Sequence, residues 1–353
     1  LGLESFLQEK GVDFVVTTDK DDEYDSEGNM IRESEFGKEL EDADVVISQP
    51  FYPGYITPER IAKSPKLKLA ITAGVGSDHV ALKSSYDRGI IVTEVRGSNV
   101  VSVAEHVVMQ ILALVRNYIP SYKQVINGEW DIAAIADRSW DLEGKTVGTV
   151  AAGAIGYRVL KRLVPFDCNL MYTDIRRFEN IENEIPGLQW FENLEEMLPK
   201  CDVVTINCPL TTETDNLFDR KMIEKCKPGA FIVNTARGKI VNAEAMADAV
   251  DSGFIGGYAG DVWFPQPAPR NHPWRLMPRH ALTPHISGTS LDAQKRYAAG
   301  VKEILDSFLS GKEIRKEFTI LNSDINFVAP EYGGNGDALQ DTTPKLGKQL
   351  KEL

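Results

Sequence analysis

Two parts of the 353-residue chain carry residue types that do chemistry at readable spacing. In the first, Lys145-Thr-Val-Gly-Thr-Val runs into Ala151-Ala-Gly153-Ala154-Ile155-Gly156 and then into a helix over 157–163. Strand, glycine turn and helix follow the GxGxxG spacing, with Ala151 in the first glycine place. Glycine at 153 lets the backbone approach a pyrophosphate, and glycine at 156 lets the helix pack on its strand. The helix start adds unpaired N–H groups and a partial positive charge. Asp174 ends the next strand, where an acid accepts hydrogen bonds from a ribose 2′-OH and repels a 2′-phosphate. Together these imply a nicotinamide dinucleotide, NAD before NADP. Arg176 and Arg177, just past the acid, keep NADP as a minor or alternative cofactor.

The second is Arg237, just past the strand-like run 231–234, at the carboxyl end where α/β ligands sit. Its guanidinium fork matches a carboxylate, a charge-assisted contact worth about 1.5–3 kcal/mol. Taken singly, Arg237 reads equally as a surface ion-pair partner and His285 as an ordinary loop histidine. Asn99 could cap the helix it precedes, and Gln266 could serve a proline-rich turn. An acidic run over 19–35 puts Glu23, Asp25, Glu27 and Gly28 at positions 1, 3, 5 and 6 of an EF-hand loop. Position 12 is Ser34, where calcium needs a bidentate Glu, so the run reads as a solvated loop. The four cysteines show no CxxC spacing and the five histidines no HxxxH pair. No metal is expected, and reduced thiols point to the cytoplasm.

The elements that must position these residues alternate, as in α/β folds with parallel sheets. Strands are expected over 13–18, 43–48, 67–72 and 90–95, with helices between; Thr57 and Pro58 open one of them. A second series falls at 146–150, 170–174, 203–207, 231–234, 257–261 and 280–283, the spacing of βαβ units. The helix over 101–117 has an apolar stripe wider than one core-facing face, so cover on more than one side is expected. A helix over 291–309 and a polar tail from Pro330 close the chain. The chain opens on a helix, which suggests a strand missing ahead of Leu1. Its length fits about two domains. With 39 Lys and Arg against 52 Asp and Glu, the net charge of −13 disfavours a nucleic acid or an anionic membrane as main partner. No apolar run reaches the roughly 20 residues a span needs.

Six strings carry a resemblance over about residues 1–329: Ile47-Ser-Gln-Pro50-Phe51, Thr72-Ala-Gly-Val75-Gly-Ser-Asp-His79, Gly97-Ser-Asn99-Val100-Val-Ser-Val-Ala-Glu-His106, Val233-Asn-Thr235-Ala-Arg237-Gly238, Gly260-Asp261-Val-Trp-Phe-Pro-Gln266-Pro-Ala-Pro269 and Thr283-Pro-His285-Ile-Ser287-Gly288. The chain resembles the metal-free NAD-dependent formate dehydrogenases of the D-2-hydroxyacid dehydrogenase superfamily. The resemblance implies an α/β fold of two Rossmann-like doubly wound parallel-sheet domains. A substrate domain over 1–99 and 287–353 would hold, inserted within it, an NAD-binding domain over 100–286. A homodimer formed through the NAD-binding domains, around the 101–117 helix, is also implied.

The same resemblance distributes roles. Oxidising formate to CO2 moves one hydride and no further proton, so the site needs an anion clamp and no general base. Oxidising a 2-hydroxy acid must also remove a hydroxyl proton, which calls for a His made basic by a carboxylate. The resemblance puts that His at His285 and its partner at Gln266, where the hydroxyacid enzymes have Glu, and an amide cannot raise imidazole basicity as a carboxylate does. Arg237 would bind and polarise formate, Asn99 would hold its second oxygen, and Pro50, Phe51 and Val75 would form an apolar wall. Val100, Gly153, Ala154, Ile155, Gly156, Asp174, Pro209, Thr235, Asp261, His285, Ser287 and Gly288 would line the cofactor. His79 and His106 are left structural. Ala154 stands where the family usually has an arginine on the pyrophosphate, Ala81 where an aspartate is common, and Arg96 where a smaller polar residue is usual. Two other readings are weighed: a D-2-hydroxyacid dehydrogenase of the glyoxylate or hydroxypyruvate reductase type, opposed by the missing Glu, and a catalytically silent NAD-sensing corepressor, opposed by the intact clamp.

Overall fold

Short runs rich in Val, Ile and Leu become the strands. The computed structural model describes residues 1–25, 27, 30–51, 53–278 and 280–320. The chain divides into two units. One is Leu1–Asn99 with Pro265–Arg270 and the described residues from Leu291 onward; the other is Val100–Phe264 with Asn271–Ser290. The sequence alone predicts the second unit unbroken over 100–286. The structure instead assigns Pro265–Arg270 to the first unit, because Gln266 bonds to the main chain of Pro50 and Phe51. It keeps 287–290 in the second, where the Ser287 N–H bonds Asp261.

In the first unit β1 (Val45–Ser48), β2 (Leu69–Thr72) and β3 (Ile91–Glu94) pair in parallel in that order. Alternate residues of β2 feed two layers. Leu69 and Ile71 pack with Ala293, Tyr297, Val301 and Ile304 of the Leu291–Leu309 helix, while Ala70 packs with Ile61, Leu82 and Val92. Thr319 bridges Thr93 antiparallel, so the chain after that helix lies against β3. The run 13–18 forms no strand: Val15 and Val16 are exposed, and of this stretch only Phe14 rests on the core, beside the preceding Val12. Strand propensity needs a sheet edge to act on, and none of the described strands pairs there.

The acidic run is less solvated than expected. Glu23–Tyr24 and Met30–Arg32 form an antiparallel ribbon, Arg32 pairs with Asp19 and Glu23, and Asp22 forms a largely buried ion pair with Arg60 at 2.8 Å. Arginines thus hold Asp19, Asp22 and Glu23, while Glu33 pairs with Lys63. Gly28 and the polar tail lie outside the described residues.

The second unit holds a seven-stranded parallel sheet: β4 (Thr146–Val150), β5 (Asn169–Thr173), β6 (Gln189–Phe191), β7 (Val203–Ile206), β8 (Phe231–Asn234), β9 (Gly257–Gly260) and β10 (His280–Leu282). Their order across the sheet is β10-β9-β8-β7-β4-β5-β6. The chain therefore winds outward from β4 to β6, returns to β7 on the other side of β4, and winds the opposite way. This is the doubly wound dinucleotide order, and its crevice lies at the carboxyl ends of β4 and β7. The three-residue edge strand β6 is an element the sequence did not reveal. The Val100–Val115 helix buries Val103, Ala104, Val107, Ile111 and Leu114 between the sheet and the Ala154–Leu163 helix. It ends before Asn117, whose φ of 52° breaks it.

Candidate active site

The glycine turn explains itself residue by residue. A Cβ on Gly156 would sit 2.1 Å from the Ala151 carbonyl oxygen, so only glycine lets the helix lie this close to β4. A Cβ on Gly153 would meet nothing within 4 Å, which leaves an open cradle at the start of the Ala154–Leu163 helix. Ala151, in the first glycine place, adopts φ 71°, the left-handed region that favours glycine. The Asp174 carboxylate accepts the Ala152 N–H at 2.8 Å, tying the acid to the turn. Across the crevice, at the end of β7, Asn207 donates to the Thr205 carbonyl, and its buried Oδ1 has no partner among the described residues. Open cradle, helix start, acid and orphaned acceptor together fit a dinucleotide.

The two arginines beside Asp174 are committed locally. Arg177 forks onto Glu182 at 2.6 to 3.1 Å, which also holds the Glu182 carboxyl below its usual range, and Arg176 stacks on Phe178. A 2′-phosphate would have to compete with Glu182 for Arg177. Ala154 is exposed and Ile155 half-buried on the first turn; Pro209 is exposed on the loop after β7, and Val100 is buried at the start of its helix.

Arg237 sits on the loop after β8, and its main chain is fixed by Asn234. The buried Asn234 amide accepts the Ala236 N–H at 3.0 Å and donates to the Arg237 carbonyl at 2.9 Å. The Arg237 guanidinium donates to the Ala236 carbonyl at 2.7 Å. Gly238 is obligatory, since a Cβ there would lie 2.3 Å from the Trp263 carbonyl carbon. Thr235 is buried on the same loop. Sequence reasoning missed Asn234, although it stands inside a quoted string; nothing in the string marks it as the brace.

His285 follows β10 and holds φ 58°, an uncommon backbone for histidine. Asp261, fully buried at the end of β9, compels it: Oδ1 accepts the Thr283 hydroxyl at 2.6 Å and the Ile286 N–H at 2.8 Å, and Oδ2 accepts the Ser287 N–H at 2.8 Å. Burial pushes the Asp261 carboxyl up, but these donors outweigh it and hold the pKa below the ordinary value. Asp261, assigned to the cofactor, thus acts first on the loop that carries His285, Ser287 and the buried Gly288. His106 extends the brace: its Nε2–H reaches Thr283 Oγ1 at 3.0 Å, and burial keeps its pKa low despite the pull of Asp261.

The first unit supplies a separate group. A Cβ on Gly74 would clash with Pro50 at 2.8 Å, so Gly74 lets the Pro50-Phe51 loop pack on the loop after β2, beside half-buried Val75. Glu94 takes the Gly76 N–H at 2.7 Å and pairs with Arg96 at 2.7 Å, which gives the unusual Arg96 a local partner. Gln266 donates its amide hydrogens to the carbonyls of Phe51 at 2.7 Å and Pro50 at 3.3 Å. Asn99 is buried, its side chain interacts with Tyr297, and its Oδ1 has no partner among the described residues, so it is not serving as a side-chain helix cap. His79 bonds Ser48 at 2.6 Å, a structural role. Ala81 opens the Leu82–Asp87 helix without the side-chain cap an aspartate would give. Thus Arg237, His285 and the glycine turn stand in the second unit; Asn99, Gln266, Pro50, Phe51 and Val75 stand in the first.

Comparison with known proteins agrees with this architecture. Residues 108–287 match the family model for the D-isomer specific 2-hydroxyacid dehydrogenase, NAD binding domain. The chain is similar to the formate dehydrogenase of Pseudomonas sp. (strain 101), 55% identical over 322 residues, covering 91% of this chain and 78% of the relative. Among solved structures it is similar to the Granulicella M. formate dehydrogenase, with TM-score 0.85 and 51% identity, covering 93% of this chain and 85% of that one. It is also similar to the NAD-dependent formate dehydrogenase of Staphylococcus aureus solved in complex with NAD, with TM-score 0.82 and 45% identity, covering 91% and 92%. The chain belongs to the formate dehydrogenases of the D-isomer-specific 2-hydroxyacid dehydrogenase family.

Proposed function

We propose that the protein oxidises formate to CO2 and transfers the hydride directly to NAD+. The observation that carries this reading is Gln266: an amide donating to two main-chain carbonyls stands where a 2-hydroxyacid dehydrogenase needs a carboxylate. NAD, when bound, supplies the hydride acceptor; the open cradle at Gly153, the Asp174 carboxylate and the helix start would hold it. Arg237, braced by Asn234, binds one oxygen of formate, and Asn99 holds the other. Both contacts strengthen the hold on an anion and neither moves a proton, which suits a substrate that loses only a hydride. Pro50, Phe51 and Val75 exclude water and leave no room for a substrate side chain.

NADH absorbance on adding formate to the protein, with NAD and NADP run side by side, tests the reading. Turnover with formate and preference for NAD are expected; silence with formate alongside reduction of glyoxylate or hydroxypyruvate would overturn it. The protein works in the cytoplasm as a homodimer in this reading. Four free cysteines support the compartment. Exposed Tyr118, Tyr122, Val125, Ile126, Trp130 and Ile132 on the second unit support the dimer. Fractionation of the source cells tests the compartment, which localisation to an organelle would refute, and monomeric elution on a sizing column would refute the dimer.

A further inference from the structure

Asn99, assigned above to the second oxygen of formate, has a braced neighbour in the first unit. The Leu291–Leu309 helix lies against the loop that follows β3, close enough that a Cβ on Gly300 would sit 2.3 Å from a Val95 methyl. One turn earlier on the same helix, the Arg296 guanidinium bonds the Ser98 carbonyl, and the neighbouring Tyr297 hydroxyl interacts with the Asn99 side chain. Residues 296, 297 and 300 thus grip Val95, Ser98 and Asn99 from one side of the helix. Tyr297 is itself fixed: it is 5% exposed, packs in the core with Ile71 and Val301, and has its ring 5.9 Å from that of Phe51. The Asn99 amide is buried with it, and its Oδ1 has no partner among the described residues.

An amide has one donor end and one acceptor end, and rotation about its last bond exchanges them. With the NH2 toward Tyr297 the oxygen is stranded, a cost of about 1–3 kcal/mol for a buried acceptor. The exchanged amide would accept the Tyr297 hydroxyl hydrogen on Oδ1 and turn its NH2 outward. Only that orientation satisfies the stranded oxygen and offers a donor to an anion. Burial pushes the Tyr297 phenol up to about 12, against the opposing effects of Asn99 and Arg296, so the hydroxyl keeps its proton at working pH.

Resting on the formate reading above, we propose that Tyr297 is a positioning residue: its hydroxyl selects the orientation in which the Asn99 NH2 faces the substrate carboxylate. Tyr297→Phe removes the hydroxyl and little else, so the amide loses its reason to choose. The experiment is a double-mutant cycle of Y297F and N99A, read as formate KM, NAD KM and kcat. Y297F is expected to raise formate KM about tenfold with NAD KM unchanged, and to add nothing when N99A is already present. A formate KM for Y297F equal to wild type overturns the proposal. So do effects of the two substitutions that multiply, which mark an independent structural role. A wild-type protein inert to formate overturns the function and this role together, whereas a normal wild type with an unmoved Y297F overturns this role alone.

Discussion

Gln266→Glu probes the residue that separates formate from hydroxy acid chemistry, and its consequences follow from two hydrogen bonds. The amide NH2 donates to the Phe51 carbonyl at 2.7 Å and to the Pro50 carbonyl at 3.3 Å. A protonated Glu can keep the shorter bond and loses the longer one, at about 1 kcal/mol. An ionised Glu loses both and sets its charge against two carbonyl oxygens, roughly 2 kcal/mol more, so the folded pKa rises by about 1.5 units from ~4.3. The sign follows: a carboxyl whose folded pKa lies above its unfolded value is stabilising when protonated, and that contribution is lost as pH rises through the folded pKa. The variant should therefore trail wild type by about 1 kcal/mol near pH 4 and by about 3 kcal/mol above pH 7. At roughly 2 °C per kcal/mol, the gap in Tm widens from about 2 to about 6 °C. Paired thermal melts of the two proteins from pH 4 to 8 measure it. A gap that is constant with pH, or absent, refutes the claim that Gln266 acts as a donor to this loop.

Two further substitutions test the second unit. Ala151→Gly relieves a left-handed backbone at φ 71°; the relief of about 1–2 kcal/mol exceeds the added unfolded-state entropy of about 0.4–1 kcal/mol, so Tm should rise by one to a few degrees without raising NAD KM, and a lower Tm would count against the strain. Asp261→Asn puts an NH2 against one of the donors from Thr283, Ile286 and Ser287, costing about 1.5–3 kcal/mol and lowering kcat by loosening the His285 loop. Because the native carboxyl is held below its ordinary value, its contribution is present above about pH 4 and lost as pH falls further through the folded pKa, so the melts of variant and wild type should converge in acid. Melts that stay apart equally at pH 3 and pH 7 would refute that assignment.

Much of this was legible in the sequence because the signals are local. β2, β7 and β8 are short, fully buried runs of mainly aliphatic residues, and the strand-turn-helix around Gly153 reads off spacing alone. β6 was not legible, since none of its three residues, Gln189, Trp190 and Phe191, is fully buried and so it leaves no apolar run. The run 13–18 misled for the converse reason: it has strand composition and no edge to join. Braces were the least legible parts, because they act over distance. Asp261 reaches Ser287 across 26 residues, and Arg296 reaches Ser98 across 198. Arg177 reads as a phosphate ligand until Glu182 is seen to take its fork.

The same distance effect changes what Gln266 means. From sequence it is a chemical choice, amide against carboxylate, made for one histidine. In the structure its hydrogens also anchor Pro50 and Phe51, the wall assigned to the small substrate. A carboxylate at 266 would therefore alter basicity and unfasten the wall together. Passage to hydroxy acid chemistry requires new donors for those two carbonyls as well as the acid, so a single substitution should yield a weakened formate enzyme before it yields a competent hydroxyacid one.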